Sequence, residues 1–166
     1  FFFFFHQERG RRAFTEYSSY IIGLVKACEL VGKNIAQERT EVARLRDMLE
    51  QGIVSQIPNS IVNGDREHRL PNTTSIAFEA VEGEAILLML DQFGICASSG
   101  SACTSGSLEP SHVLRAMGVP FTYAHGSVRF SLSRYSTEEE VKKVIEVTPK
   151  IIENLRAISP FRGKSF

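Results

Sequence analysis

Apolar residues recur at helical spacing in two successive stretches near the start of the chain. Ile21, Ile22, Val25 and Cys28 mark the first, between Thr15 and Gly32; Ile35, Val42, Leu45, Met48 and Leu49 mark the second, between Asn34 and Gln51. A period of three to four residues gathers such positions on one side of a helix, so the pattern predicts two helices or one long bent helix, with Gly52 closing the second. Pro58-Asn59 and Asn63-Gly64-Asp65 are turn sequences with a short strand expected between them. Thr74 to Phe78 alternates as a half-buried strand, Gly83 to Leu90 returns to the helical period, and Ile95 to Ser98 reads as a strand entering a loop. Pro110 suits the first turn of a short helix through Met117, stopped by Gly118 and Pro120.

From Ser127 onward Val128, Phe130 and Leu132 alternate with Ser127, Arg129, Ser131 and Ser133, which is a strand with one apolar and one polar face. Thr137 followed by Glu140 is a capping box that opens a last helix toward Ile158, and Pro149 is expected to kink it. Helices at both ends, short strands between them and no regular strand-helix-strand repeat predict an α+β layer: a short, mostly antiparallel sheet packed with helices.

The length of 166 residues suits one ordinary domain with a single core. Hydrophobic residues at 43% and charged residues at 23% match a soluble globular protein and predict no membrane span. Nineteen basic and nineteen acidic residues cancel, which removes the electrostatic footprint of a nucleic-acid binder and favours a small-molecule or protein partner. An odd count of three cysteines without a secretory leader argues against a disulfide framework and for a reducing, cytoplasmic compartment. The Phe1 to Phe5 run matches neither a signal peptide nor a helix start; it reads as a buried strand or as a truncation or reading-frame artefact.

From Ala97 to Ser107 the chain has no bulky or charged side chain, and it contains Gly100 and Gly106. A stretch without apolar anchors is expected to be a mobile surface loop, and its one reactive group is the Cys103 thiol. On residue type alone Cys103 is either a small turn residue or a nucleophile, because reactivity requires exposure and a lowered pKa that sequence does not display.

The segment SSGSACTSGSLEPSHVLRAMGVP, Ser98 to Pro120, resembles the active-site cysteine segment of the NifS/IscS-type cysteine desulfurases. The similarity extends through QERGRRAFTE (Gln7 to Glu16), NGDREHRLPNT (Asn63 to Thr73), VEGEAIL (Val81 to Leu87) and GSVRFSLSRY (Gly126 to Tyr135), and Ser105-Gly106-Ser107 and Ser131-Leu132-Ser133-Arg134 look more like the nitrogen-fixation branch. The resemblance implies the C-terminal small domain of a fold-type I pyridoxal-phosphate enzyme. Residues 1–14 would be the end of the large cofactor domain, 15–160 the small domain with its cysteine loop at 97–107, and 161–166 a tail. In that family pyridoxal phosphate condenses with L-cysteine and acts as electron sink, while the loop thiolate attacks the substrate sulfur to give L-alanine and an enzyme persulfide.

Carried over residue by residue, Cys103 is the nucleophile and sulfur carrier, and a transient iron-sulfur ligand. Arg129 binds the substrate carboxylate through paired hydrogen bonds. Thr15 either reaches the cofactor phosphate of a partner subunit, which implies a homodimer, or caps the first helix; Phe14 and Tyr17 replace smaller residues of the family pattern beside it. The implied partners are L-cysteine and an iron-sulfur scaffold or other sulfur acceptor. No structural metal is expected, since Cys96 and Cys103 lack zinc-knuckle spacing, and Cys28 on its apolar stripe is expected to be buried. His112, His125 and Arg134 are read as structural. Lys26, Lys33, Lys142, Lys143, Lys150 and Lys164 match no cofactor-lysine motif, so the chain alone is expected to be inactive; the alternative is a non-catalytic module that docks sulfur-acceptor proteins.

Overall fold

The computed structural model describes residues 15–99 and 111–160, so Cys103, Pro110, Phe14, Lys164 and the Phe1 to Phe5 run lie outside the described residues. The chain divides into two compact units, residues 1–36 and 37–166. In the first unit the main element is α1 (Ser18–Gln37, whose last residue belongs to the second unit). No residue of α1 is buried, and the apolar stripe predicted from its spacing, with Ile21, Ile22 and Val25, is solvent-exposed. Cys28 is therefore exposed rather than buried. Its stripe exists as the period requires, but a helical period guarantees only an apolar face, not a surface to cover it.

In the second unit a π-helical turn (Glu38–Val42) leads into α2 (Ala43–Gln56). Both helical stretches predicted from the apolar spacing are thus observed. Gly52 does not end α2, which runs on to Gln56. The reason is packing: a Cβ at Gly52 would lie 2.5 Å from Ile145 Cδ1 and 2.8 Å from its Cγ1, so the glycine lets another helix approach instead of stopping its own.

The remaining elements are β1 (Ser60–Val62), β2 (Thr73–Phe78), α3 (Gly83–Asp91), β3 (Ser98–Ser99), α4 (His112–Ala116), α5 (Phe121–Ala124), β4 (Ser127–Ser131) and α6 (Glu138–Ile158). The strands form one sheet in the order β1-β2-β4-β3, antiparallel at every pair. Strand β3 is shorter and later than the pattern suggests. The Ile95 amide is spent on the Leu90 carbonyl at the end of α3, with Gly94 at φ +71°, so the chain joins the ladder only at Ser98.

One face of the sheet carries Ile76, Phe78, Val128 and Phe130 into a core completed by Leu49 and Ile53 of α2, Ile86 and Leu90 of α3, and Val141, Val147, Ile151 and Ile152 of α6. Ile53, Ile76, Ile86 and Val128 are completely inaccessible, which is where burial at about 25 cal/mol per Å² contributes most. Helix α6 begins at the predicted capping box. The Thr137 hydroxyl accepts from the Glu140 amide and the Glu140 carboxylate accepts from the Thr137 amide. The helix stays continuous through Pro149. Near its other end Arg156 donates to the carbonyls of Pro58, Asn59 and Glu79 at 2.7, 2.9 and 3.1 Å. That clamp ties α6 to the two ends of the β1-β2 hairpin, beside Asn59 and Ala80, the two non-glycine residues with positive φ among those described. Burial lowers the Arg156 pKa from its ordinary value, against the pull of Glu79.

Candidate functional site

The face of the sheet opposite the core is polar. Directly opposed residues of antiparallel strands share a face, so the register places Ser75 of β2, Arg129 of β4 and Ser98 of β3 in one row across the sheet. Asn63, just past β1, extends that row: its amide nitrogen donates to the Ser75 carbonyl at 2.8 Å. Ser127, two residues before Arg129, lies on the same face but is buried, and its hydroxyl donates to the Tyr123 carbonyl of α5 at 3.3 Å. The expectation of one apolar and one polar face on this strand holds, with Ser127 covered by α5.

Arg129 itself is exposed, and among the described residues its guanidinium has no hydrogen-bond or ion-pair partner. Other arginines of the second unit are engaged: Arg46 and Arg69 pair with Asp47 and Glu50, Arg44 with Glu41 and Glu138, and Arg156 with its three carbonyls. An unspent planar fork on a hydroxyl-lined face can accept a carboxylate through two parallel hydrogen bonds.

The strand carrying Arg129 is held closely against the chain before α3. A Cβ at Gly126 would overlap the Phe78 carbonyl and lie 3.0 Å from the Val81 carbonyl, and the Gly126 carbonyl accepts the Phe78 amide at 3.1 Å. Gly83, at the start of α3, donates to the His125 carbonyl at 2.9 Å. These contacts fix the position from which β4 starts, and so the row in which Arg129 stands. His125 itself makes an edge contact with Phe121, centroids 4.4 Å apart, in keeping with its structural reading.

A second polar cluster organises the loop between β1 and β2. Arg69 donates from both terminal nitrogens to Glu50 at 2.5 and 3.2 Å, and the Thr74 hydroxyl donates to the same carboxylate at 2.6 Å. Burial pushes the Glu50 carboxyl up, but the bonds from Arg69 and Thr74 outweigh it and hold the pKa below its ordinary value. Arg46 adds a bond to the Leu70 carbonyl at 2.8 Å. The loop that follows Asn63 is therefore pinned to α2.

Of the residues singled out from sequence, Cys103 lies outside the described residues, Arg129 stands on the polar face, and Thr15 is exposed in the first unit. Helix α1 begins at Ser18, so Tyr17 and not Thr15 precedes its first helical residue. Cys96 is exposed at the mouth of a cavity of about 320 Å³ between Leu49, Ile95, Phe130 and Val144. Among the described residues no group of three or more histidine, cysteine or acidic side chains could hold a metal, and no helix is long and apolar enough to cross a membrane. Asn63 and Ser75 did not emerge from the sequence. The available signal was that Ser75 is a polar position of its strand just as Arg129 is of its own, but only the register says the two strands are neighbours.

The described lysines do not fit a covalent anchor for pyridoxal phosphate. Lys26 and Lys33 pair with Glu29 on α1, Lys142 with Glu138 and Lys143 with Glu146 on α6, and Lys150 is exposed on α6. Helix α6 packs on the core side of the sheet, away from Arg129.

The aminotransferase class-V family profile matches residues 4–144. A cysteine desulfurase of Nostoc sp. is 62% identical over 158 residues, which cover 95% of this chain and 40% of that protein. The cysteine desulfurase NifS of Azotobacter vinelandii is 61% identical over 156 residues, covering 94% and 39%. Among solved structures, a NifS-like protein from Rickettsia africae superposes with a TM-score of 0.76 at 32% identity, covering 89% of this chain and 38% of that one. The chain thus spans about two fifths of the length of the curated relatives it matches. Because the profile match spans most of the chain, this chain belongs to the aminotransferase class-V family.

Proposed function

We propose that this chain is the small-domain portion of a pyridoxal-phosphate-dependent cysteine desulfurase of fold type I, in which Cys103 takes the sulfur of L-cysteine. The balance is L-cysteine plus the Cys103 thiol giving L-alanine plus the Cys103 persulfide: an S–S bond forms, the substrate C–S bond breaks, and no external oxidant or reductant is required. The single observation that carries the reading is Arg129, whose guanidinium has no partner among the described residues and stands on the polar face of a sheet formed by a 62%-identical relative of cysteine desulfurases. Such a fork binds the α-carboxylate of an amino acid and orients its thiol. Pyridoxal phosphate supplies the electron sink when bound, and its lysine lies elsewhere in a longer polypeptide.

On this reading residues 1–14 belong to the large domain, 15–160 to the small domain and 161–166 to a tail. Thr15 contacts the cofactor phosphate of a partner subunit in a homodimer. Cys103 hands its sulfur to an iron-sulfur scaffold or other acceptor in the cytoplasm, and serves as a transient cluster ligand there. The exposed apolar stripe of α1 supports a role inside a larger protein, because a patch of that kind calls for cover.

Two measurements test the proposal. After one turnover of the cofactor-loaded protein without acceptor, peptide mass spectrometry should find one extra sulfur on the peptide holding Cys103, and Cys103→Ala should release almost no alanine. Sulfur on Cys28 or Cys96 instead, or full alanine release from Cys103→Ala, would sink the assignment. The 166-residue chain mixed with pyridoxal phosphate should keep no cofactor absorbance after desalting; a retained band would place the anchor lysine within it. The alternative, a non-catalytic module that docks acceptor proteins, draws on the same lysine positions and predicts no activity even when the remainder of the polypeptide is supplied.

A further inference from the structure

Arg129 is flanked across the ladder by two serines, Ser75 on β2 and Ser98 on β3, and their hydroxyl protons have different uses. The Ser98 hydroxyl donates to the Ser99 carbonyl at 3.3 Å, and the nearby Ser127 hydroxyl to the Tyr123 carbonyl. Ser75 differs. Its oxygen accepts from the Asn63 side-chain amide at 3.1 Å, while among the described residues its own O–H has no acceptor. The same Asn63 nitrogen donates to Ser127 at 3.4 Å, and Asn63 Oδ1 is buried without a partner among the described residues.

A hydroxyl has one proton and two lone pairs. When an amide N–H occupies a lone pair of Ser75, the proton is turned outward as a donor. That donor stands on the same face as Arg129, with Cβ atoms of directly opposed residues about 5 Å apart. We infer that Ser75 is a second contact to the substrate carboxylate, donating to one of its oxygens beside the Arg129 fork, and that Asn63 is the positioning residue that sets the direction of the Ser75 hydroxyl. The inference rests on the reading of Arg129 as the carboxylate contact. The orientation of Asn63 is maintained by its backbone bond to Ser75 and by the pinned loop that follows it, so the donor direction is built into the fold before substrate arrives. A serine placed this way discriminates an α-amino acid from an amine or ester, because only a carboxylate offers a full negative charge to both donors.

The test uses the cofactor-loaded protein that contains this chain, with L-cysteine and L-cysteine methyl ester as paired substrates. Ser75→Ala should lower kcat/KM for L-cysteine roughly tenfold, the usual worth of a hydrogen bond to a charged group, and leave the methyl ester nearly unchanged. Ser75→Thr, which keeps the hydroxyl, should restore most of the preference. Asn63→Asp keeps size but offers only acceptors, so it should draw the Ser75 proton away from the substrate and fall at least as far as Ser75→Ala. A second readout needs no turnover: L-alanine should protect Arg129 from phenylglyoxal, followed by peptide mass spectrometry, less well in Ser75→Ala than in the wild type. If Arg129→Ala reduces L-cysteine use while Ser75→Ala does not, the role of Ser75 is overturned and Arg129 stands. If Arg129→Ala leaves both substrates unchanged, the Arg129 reading fails and takes this one with it. An equal loss for both substrates in Ser75→Ala, or full activity in Asn63→Asp, would likewise refute the inference, the latter by showing that Asn63 accepts from Ser75 rather than donating to it.

Discussion

Replacing Glu50 should unpin the loop between β1 and β2, and the size and pH dependence of the loss follow from the geometry. Glu50 is 6% exposed and accepts two bonds from Arg69 and one from Thr74, while the Arg69 side chain is 16% exposed. Removing one partner of a fully buried pair costs about 3–5 kcal/mol, because the other charge is left uncompensated. Here Arg69 keeps Asp47 at 3.3 Å and some contact with water, which reduces the penalty. Glu50→Gln keeps the shape and one acceptor, so its cost should be about 2 kcal/mol, and Glu50→Ala about 3 kcal/mol, near a hundredfold in the folding equilibrium. With a urea slope of about 2 kcal/mol/M, the alanine midpoint should fall by roughly 1.5 M at pH 7, read by far-ultraviolet circular dichroism.

The sign with pH is fixed. Because the folded-state pKa of Glu50 is lowered from 4.5, its contribution is complete above the unfolded value and is lost as pH falls through the folded one. The gap between wild type and Glu50→Gln should therefore be widest near neutrality and close progressively below about pH 4. A gap that is equal at pH 7 and pH 3, or smaller than about 0.5 kcal/mol at neutrality, would refute the argument that the ionised carboxylate bonded to Arg69 is what holds the loop.

Gly126→Ala should destabilise by about 1–3 kcal/mol, the usual cost of overpacking, since its Cβ has only the Phe78 and Val81 carbonyls to displace; thermal melting checks it. Gly52→Ala should cost less, because the Ile145 side chain can rotate away and alanine contributes about 1 kcal/mol of helix propensity. Thr137→Ala should lose about 1 kcal/mol by opening the capping box of α6, a loss visible in the same melts and absent in Thr137→Ser. Arg129→Ala should leave the stability within about 0.5 kcal/mol of wild type, since its side chain has no partner among the described residues, yet in the cofactor-loaded protein that contains this chain weaken L-cysteine use roughly ten- to a hundredfold. A large loss of stability would mean the residue is structural.

What the sequence determined by itself is what depends on neighbours along the chain. The period of apolar residues placed α1, α2 and α3, since a helix face is set by residues three and four apart. The Thr137 to Glu140 capping box, the turn at Asn63-Gly64 and the two-faced β4 are equally local, and each was legible because its physical cause lies within a few residues. Cys103 stood out as a candidate for a different reason: the residues around it in sequence carry no bulky or charged side chain, so the thiol is their one reactive group, and the segment resembles that of a known family.

Tertiary structure decided everything that depends on what comes to lie beside what. Gly52 reads as a helix stop until Ile145 of α6 is found against it. Cys28 and its stripe read as buried, yet among the described residues they are exposed. The strand predicted from Ile95 begins at Ser98 because the Ile95 amide is already bonded to Leu90. Above all, Asn63 and Ser75 are separated in sequence by a loop and Ser75 and Arg129 by several elements, and only the antiparallel register of β2 with β4 brings a serine hydroxyl and a guanidinium onto one row of one face. Alternation tells a strand which residues share a face; the pairing of strands, which a sequence does not encode locally, tells which faces meet.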